Sequence, residues 1–294
     1  MEGSTDGPFL ALDVGGSWIK SATVVDGKTQ EHPREPVAHG IAELVSQIVD
    51  LYERAGEGAR LSWGLCVPGL VDAESGTVGY SVNLGLRDVP LLELLEAKLP
   101  RPRIFENDLV AAAVGEADGG TLALMQIGTG IAGRYAVDGV VLSSASGHAG
   151  EIGHLGFRPG GRPCACGNRG CAEAYGGWGA VRSRYEEAGR SVISPTALLR
   201  EAEVDPWASE VLEDAFEAIG FAAAALVAAW DPGTLRVGGG VAAAWGDTLQ
   251  AAIRRNLEAR VLPELAASTR VEASRLGERA SLLGLYALSR GLEA

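Results

Sequence analysis

Phe9–Gly27 reads FLALDVGGSWIKSATVVDG, and Thr121–Leu142 reads TLALMQIGTGIAGRYAVDGVVL. Each contains an apolar run, a glycine turn, a second apolar run and an Asp-Gly pair. That is the pattern of strand, tight turn, strand and hairpin. The second stretch echoes the first, as a duplicated core would. Outward from the first, Ile41–Arg54 (IAELVSQIVDLYER) places Leu44, Ile48 and Leu51 on one helical face. LSWGLCVPGLV is a further apolar strand ending at a Pro-Gly turn. A loop containing Asn83, a helix in PLLELLEAKL, a short strand in IFEND and an Ala-rich helix in LVAAAVGEA follow. This alternation predicts an α/β domain over residues 1–117.

Beyond the second stretch, Trp207–Trp230 reads as a long Ala-rich helix, and LRVGGGVAAAWGDTLQAAI as strand, triple glycine and helix. These belong to a second α/β domain over residues 118–278. A closing helix from Arg279 to Leu292, within about residues 279–294, is expected to pack back on the first domain. With no low-complexity linker between the halves, the expectation is a central, hinged interdomain cleft.

Between the second stretch and the long helix lies EIGHLGFRPGGRPCACGNRGCAE, Glu151–Glu173. Cys164, Cys166 and Cys171 come from a tight, Gly-permitted loop, and His154 precedes them. Three thiolates and one imidazole make a tetrahedral Cys₃His set, the donor number of a closed structural zinc site. Three clustered thiols cannot pair evenly among themselves, which weakens a disulfide reading. Glu151 and Glu173 bracket the loop. Alone they read as solvated acids.

Glycine turns recur three times after strands. In Asp13-Val14-Gly15-Gly16-Ser17, the glycines let backbone amides approach a phosphate and Ser17 offers a hydroxyl. Asp13 would hold Mg²⁺ through water, and Lys20 is assigned to the same nucleotide-side group. Gly128-Thr129-Gly130 repeats this chemistry. Gly238-Gly239-Gly240 opens a helix and leaves a flat surface for an adenine or ribose. No Walker A pattern is present, and a dinucleotide-binding reading is set aside. At the end of the IFEND strand, Asp108 could accept a hydroxyl proton while Asn107 orients the substrate. The ordinary alternative makes Asp108 a helix N-cap.

The composition excludes several classes. A net charge of −13 argues against nucleic acid as the main partner. Phe221–Trp230, the longest apolar run, is too short to span a bilayer. Four cysteines with no secretory signal point to a reducing, cytoplasmic setting.

Taken together, these motifs resemble the ROK family (repressor, open reading frame, kinase). The resemblance runs from Asp13 through the ExGH and CxCGxxGCxE signatures to the triple glycine and the closing helix. It implies a two-domain actin-like, hexokinase-like (ribonuclease H-like) ATPase fold. The implied activity is ATP- and Mg²⁺-dependent phosphorylation of a hexose hydroxyl, usually the 6-hydroxyl, with Asp108 as general base. Gly69, Asn83, Asn107, Glu151, His154 and Glu173 would bind sugar, and His154 would also serve the structural Zn²⁺. A homodimer or tetramer is implied as well.

The chain departs from the family pattern at Ser17, where Thr is usual, and at Ala132 and Arg134 in GTGIAGR. Ala132 requires a negative φ, and Arg134 adds a cation near the expected phosphate or sugar mouth. Leu86 stands where glucokinases commonly carry Trp after NLG. Glucosamine, kanosamine and N-acetylmannosamine are therefore alternative acceptors. A sugar-sensing ROK regulator is the rival of another class. Such regulators carry a winged helix-turn-helix before the first phosphate strand, and only about a dozen residues precede Asp13 here.

Overall fold

Every residue of the first strand, β1 (Phe9–Val14), is buried, because both faces of the strand are covered. Leu10, Leu12 and Val14 enter one core with Leu44, Ile48 and Leu51 of α1 (Ile41–Gly56). Phe9 and Ala11 enter a second with Ala111 of α3 (Asp108–Glu116) and Leu282 and Leu285 of α10 (Ala280–Ser289). Period-two alternation thus sorts one continuous apolar run into two cores. The computed structural model describes residues 7–56, 60–142, 149–191 and 193–291. The chain divides into two compact units, one formed by 1–117, 139–148 and 279–294, the other by 118–138 and 149–278.

In the first unit, β2 (Trp18–Val25), β3 (Lys28–Glu31), β4 (Glu35–Pro36), β5 (Ser62–Val67) and β9 (Ile104–Asn107) join β1. The sheet order is β3-β2-β1-β5-β9, with β4 on β2. β2 is antiparallel to β1 and β3, whereas β1, β5 and β9 are parallel. Asp26 and Gly27 both have positive φ, 49° and 74°, as a two-residue hairpin turn that matches the strand twist requires.

A second, antiparallel sheet of β6 (Leu70–Asp72), β7 (Thr77–Ser81) and β8 (Leu86–Val89) occupies the segment read as a loop around Asn83. Strands of three to five residues are too short for their alternation to register. α2 (Leu91–Glu96) follows, and a two-residue strand, β12 (Val140–Val141), also falls in this unit. α3 and α10 meet at paired glycines: a methyl on Gly115 would strike the Ala280 carbonyl, and one on Gly284 the Ala111 carbonyl. Residues 292–294, in which the expected closing helix ends, lie outside the described residues.

In the second unit, β10 (Leu122–Ile127), β11 (Ile131–Val137), β13 (Thr234–Gly238) and β14 (Arg270–Ala273) run in the order β11-β10-β13-β14. β10 is antiparallel to β11 and parallel to β13, which is parallel to β14. Order and sense repeat β2-β1-β5-β9, so the duplicated core legible in the sequence is present. This is the mixed α/β, ribonuclease H-like arrangement of actin-like and hexokinase-like ATPases.

The helices of this unit are α4 (Glu173–Gly176), α5 (Trp178–Glu187), α6 (Pro195–Glu201), α7 (Pro206–Trp230), α8 (Gly240–Arg260) and α9 (Pro263–Ser268). Asp205 caps α7 by accepting from the Trp207 amide, Pro206 opens the helix, and left-handed Asp231 closes it. α8 breaks at Gly246, whose φ is 47°. Sequence reading missed α5, where only Val181 and Tyr185 are buried, too few for an apolar stripe. No helix among the described residues is long and apolar enough to cross a membrane.

Candidate functional site

Asp13, next to last in β1, lies on the face that carries Phe9 and Ala11, opposite Lys20 of β2 and Cys66 of β5 in strand register. Its carboxylate is almost fully buried. Lys20 Nζ lies 2.7 Å from Asp13 Oδ2, and the Ser281 hydroxyl of α10 donates to the same oxygen at 2.5 Å. Cys66 is buried beside them. Burial first, then the charges of Asp13 and Asp108, push its thiol well above the usual range.

After Asp13 the chain turns tightly, with the Gly15 amide donating to the Trp18 carbonyl. Gly16 abuts Asn83: a methyl there would come within 2.8 Å of the Asn83 Cβ. Ser17 is exposed. One expected phosphate turn and one expected sugar loop are therefore neighbours in this unit.

At the end of β9, helix capping falls to Asn107 and not to Asp108, which corrects the N-cap expectation for Asp108. Asn107 has extended backbone angles, and its Oδ1 accepts from the Leu109 and Val110 amides at 3.0 and 3.1 Å. Its Nδ2 donates to the Gly69 carbonyl at 2.8 Å, which latches the Pro68–Gly69 turn to the helix start. With Oδ1 committed twice and Nδ2 once, Asn107 retains one N–H. Asp108 is the first helical residue, half-buried, and its Oδ1 accepts from the Leu109 amide at 2.9 Å.

In the second unit, Gly128-Thr129-Gly130 joins β10 to β11. Gly128–Gly133 does fit a GxGxxG spacing, but an antiparallel strand follows it, where a dinucleotide fingerprint needs a helix. Ala132 is absent from the positive-φ residues, as its side chain requires. Arg134 is buried within β11, its Nη1 beside the Gly133 carbonyl.

Glu173, the first residue of α4, accepts the Ile131 amide on Oε2 at 2.9 Å. Gly238 packs on the Gln126 side chain and Gly239, at φ 93°, on the Ile127 backbone. Only Gly240 of the triple glycine faces open space.

The metal-ligand candidates converge. One donor atom from each of His154, Cys164, Cys166 and Cys171 lies within 4.8 Å of the others. Cys166 Sγ and Cys171 Sγ are 3.7 Å apart, and Cys164 Sγ is 3.5 Å from His154 Nδ1. Zinc–sulfur bonds of about 2.3 Å give a tetrahedron edge of about 3.8 Å, so these residues fit zinc. The donor chemistry agrees: burial and the two neighbouring thiols push Cys171 up to about 12, a proton that a dication would displace. His154 Nε2 faces Glu151 Oε2 at 3.6 Å, leaving Nδ1 for the metal.

Sequence reasoning missed Ser281, Cys66 and the bond between Glu173 and Ile131. No spacing rule reaches Ser281, whereas the Cys66 position follows from pairing two recognised strands end to end.

A profile of the ROK family matches residues 9–291. A glucokinase of Halalkalibacterium halodurans is 33% identical over 94% of this chain and 93% of its own. Among solved structures, a ROK hexokinase from Thermus thermophilus superposes with a TM-score of 0.77 at 30% identity, over 97% of this chain and 100% of that one. A ROK family glucokinase from Streptomyces griseus, in complex with glucose and AMPPNP, gives 0.81 at 26% identity over the same shares.

Proposed function

The chain belongs to the ROK family, and from that premise we propose that it is an ATP-dependent sugar kinase acting on the 6-hydroxyl of a hexose. The observation that carries the assignment is the division of labour at the end of β9. Asn107 takes the N-cap position and accepts the Leu109 and Val110 amides, which places Asp108 inside the first turn of α3 with only its Oδ1 bonded to the Leu109 amide among the hydrogen bonds described above.

In the proposed reaction Asp108 accepts the proton of the sugar hydroxyl as its oxygen attacks the γ-phosphorus. The bond from that phosphorus to the β–γ bridging oxygen breaks, and ADP leaves. Asn107, with its remaining N–H, and Asn83, Gly69, Glu151, His154 and Glu173 are proposed to hold the sugar. Gly15, Gly16, Ser17 and Lys20, with Gly128, Thr129 and Gly130, are proposed to receive the phosphates, and Gly238–Gly240 the adenosine. Asp13 would hold Mg²⁺ through water, and the ion would neutralise charge on the phosphate oxygens. His154, Cys164, Cys166 and Cys171 would hold a structural zinc. We read the enzyme as a cytoplasmic homodimer or tetramer.

The test is coupled ADP release with Mg-ATP across hexoses and aminosugars, with Asp108→Asn as control. Loss of a general base lowers the rate by about 10²–10⁴. Turnover on one sugar that collapses in Asp108→Asn while melting temperature holds establishes the reading. Silence across the panel from folded, zinc-loaded protein overturns it in favour of a sugar sensor.

A further inference from the structure

Three hydrogen bonds tie the segment that leaves the cysteine loop to the Gly128–Gly130 turn. The Ile131 amide donates to Glu173 Oε2 at 2.9 Å, the Trp178 amide to the Gly128 carbonyl at 3.0 Å, and the Gly179 amide to the Thr129 carbonyl at 3.0 Å. The approach is tight on both sides. A methyl on Gly130 would collide with Glu173 Oε2, and one on Gly177 would come within 2.7 Å of the Thr129 carbonyl. Glu173 stands two residues after Cys171, which is nearly inaccessible and is the last of the four clustered donors. Of the three bonds only this one runs through a side chain, and its acceptor is a carboxylate, which makes it the strong one.

We propose that Glu173 is a positioning residue for the phosphoryl donor. Through Oε2 it holds the Gly128-Thr129-Gly130 turn in its phosphate-receiving shape, and it makes the metal loop and that turn one mechanical piece. This rests on the kinase reading above. It goes beyond a sugar contact, because Oε2 is bonded to the chain's own Ile131 amide and the effect of that bond falls on nucleotide affinity. The sugar would engage the other carboxylate oxygen, so one side chain would register both substrates.

The experiment is calorimetric binding of Mg-AMPPNP to sugar-free, zinc-loaded protein, comparing wild type, Glu173→Ala and Glu173→Gln, with zinc content and melting temperature recorded for each. Glu173→Ala should weaken nucleotide binding about tenfold, the lower range for losing a hydrogen bond to a charged group. Glu173→Gln should stay within about threefold of wild type, since its amide oxygen still accepts from Ile131. Stripping the metal with a chelator should weaken wild type by a similar factor and add little to Glu173→Ala.

Equal nucleotide affinity in wild type and Glu173→Ala, with zinc retained, would overturn the proposal and leave Glu173 a sugar ligand alone. Should Glu173→Ala not fold, Gly130→Ala displaces the same carboxylate from the other side and must show the same loss. Absence of nucleotide binding in the wild type would overturn the kinase reading itself, and this inference with it.

Discussion

Asp13 is the best place to test the proposed nucleotide side, because two other elements, β2 and α10, each bring it a partner, Lys20 and Ser281, and their removal has a calculable order. Ser281→Ala deletes a hydroxyl that donates to a buried carboxylate, while Lys20 remains on the same oxygen. Hydrogen bonds to charged groups contribute about 1.5–3 kcal/mol. The surviving ion pair places this loss at the low end, roughly 1.5 kcal/mol. Lys20→Met instead leaves the carboxylate buried without its cation, at a cost of about 3–5 kcal/mol. The Lys20 side chain keeps 27% exposure, so water can take its place in part and the lower figure of about 3 kcal/mol applies.

Because both partners meet Oδ2, the double variant should depart from additivity by about 0.5 kcal/mol or more. The assay is denaturant unfolding at neutral pH followed by circular dichroism, with Mg-AMPPNP binding measured on the same preparations. Both variants should bind the nucleotide more weakly, as a carboxylate that has lost its tether holds the ion less well. The reasoning fails if Ser281→Ala stays within about 0.5 kcal/mol of wild type, the range of an ordinary surface change. An Lys20→Met loss smaller than the Ser281→Ala loss would refute it equally.

Thiol chemistry separates the four cysteines. After chelation the folded protein should react with a thiol reagent first at exposed Cys166 and then at partly exposed Cys164, while Cys171, buried and held up to about 12, and Cys66, inaccessible and held neutral, should appear only in denaturant. Four thiols reacting at one rate would refute that placement. Asp118 gives a pH signature: hydrogen bonds from Arg236 first, then Arg275, hold its carboxyl below the usual range. Its contribution should be complete above the unfolded value of about 3.9 and vanish as pH falls through the lower folded value. The melting-temperature gap between wild type and Asp118→Asn should therefore close below pH of about 4. A gap that stays constant into acid would show that the ion pairs are not its source.

What was legible in the sequence was local. A strand, a glycine turn and a second strand lie within twenty consecutive residues, and the doubled core follows from finding that unit twice. The CxCGxxGC loop and His154 were likewise readable, because donor type and spacing constrain a tetrahedral site. The cap at α3 was not. Asn107 and Asp108 are adjacent, both suit an N-cap, and the choice depends on which one still has extended angles, φ −68° and ψ 140° at Asn107. The burial of Arg134 was hidden for a related reason. Gly133, Arg134, Tyr135 and Ala136 are all buried, so alternation along β11 does not say which residues face water.

The contacts that would make these motifs into a machine are those that no local pattern encodes. Ser281 and Asp13 are 268 positions apart and meet only because α10 lies over the face of β1 that carries Phe9 and Ala11. Glu173 and Ile131 are 42 apart and meet because the chain between them folds back through the cysteine loop. Loop-closure entropy grows only slowly with length, so a long excursion is tolerable provided something fixes its course. Four donors on one ion would do that. The metal would thus act on the chemistry at one remove, by fixing the path that brings a carboxylate to the Ile131 amide. This is why loss of the ion should be read first in nucleotide affinity and not in the proton transfer assigned to Asp108.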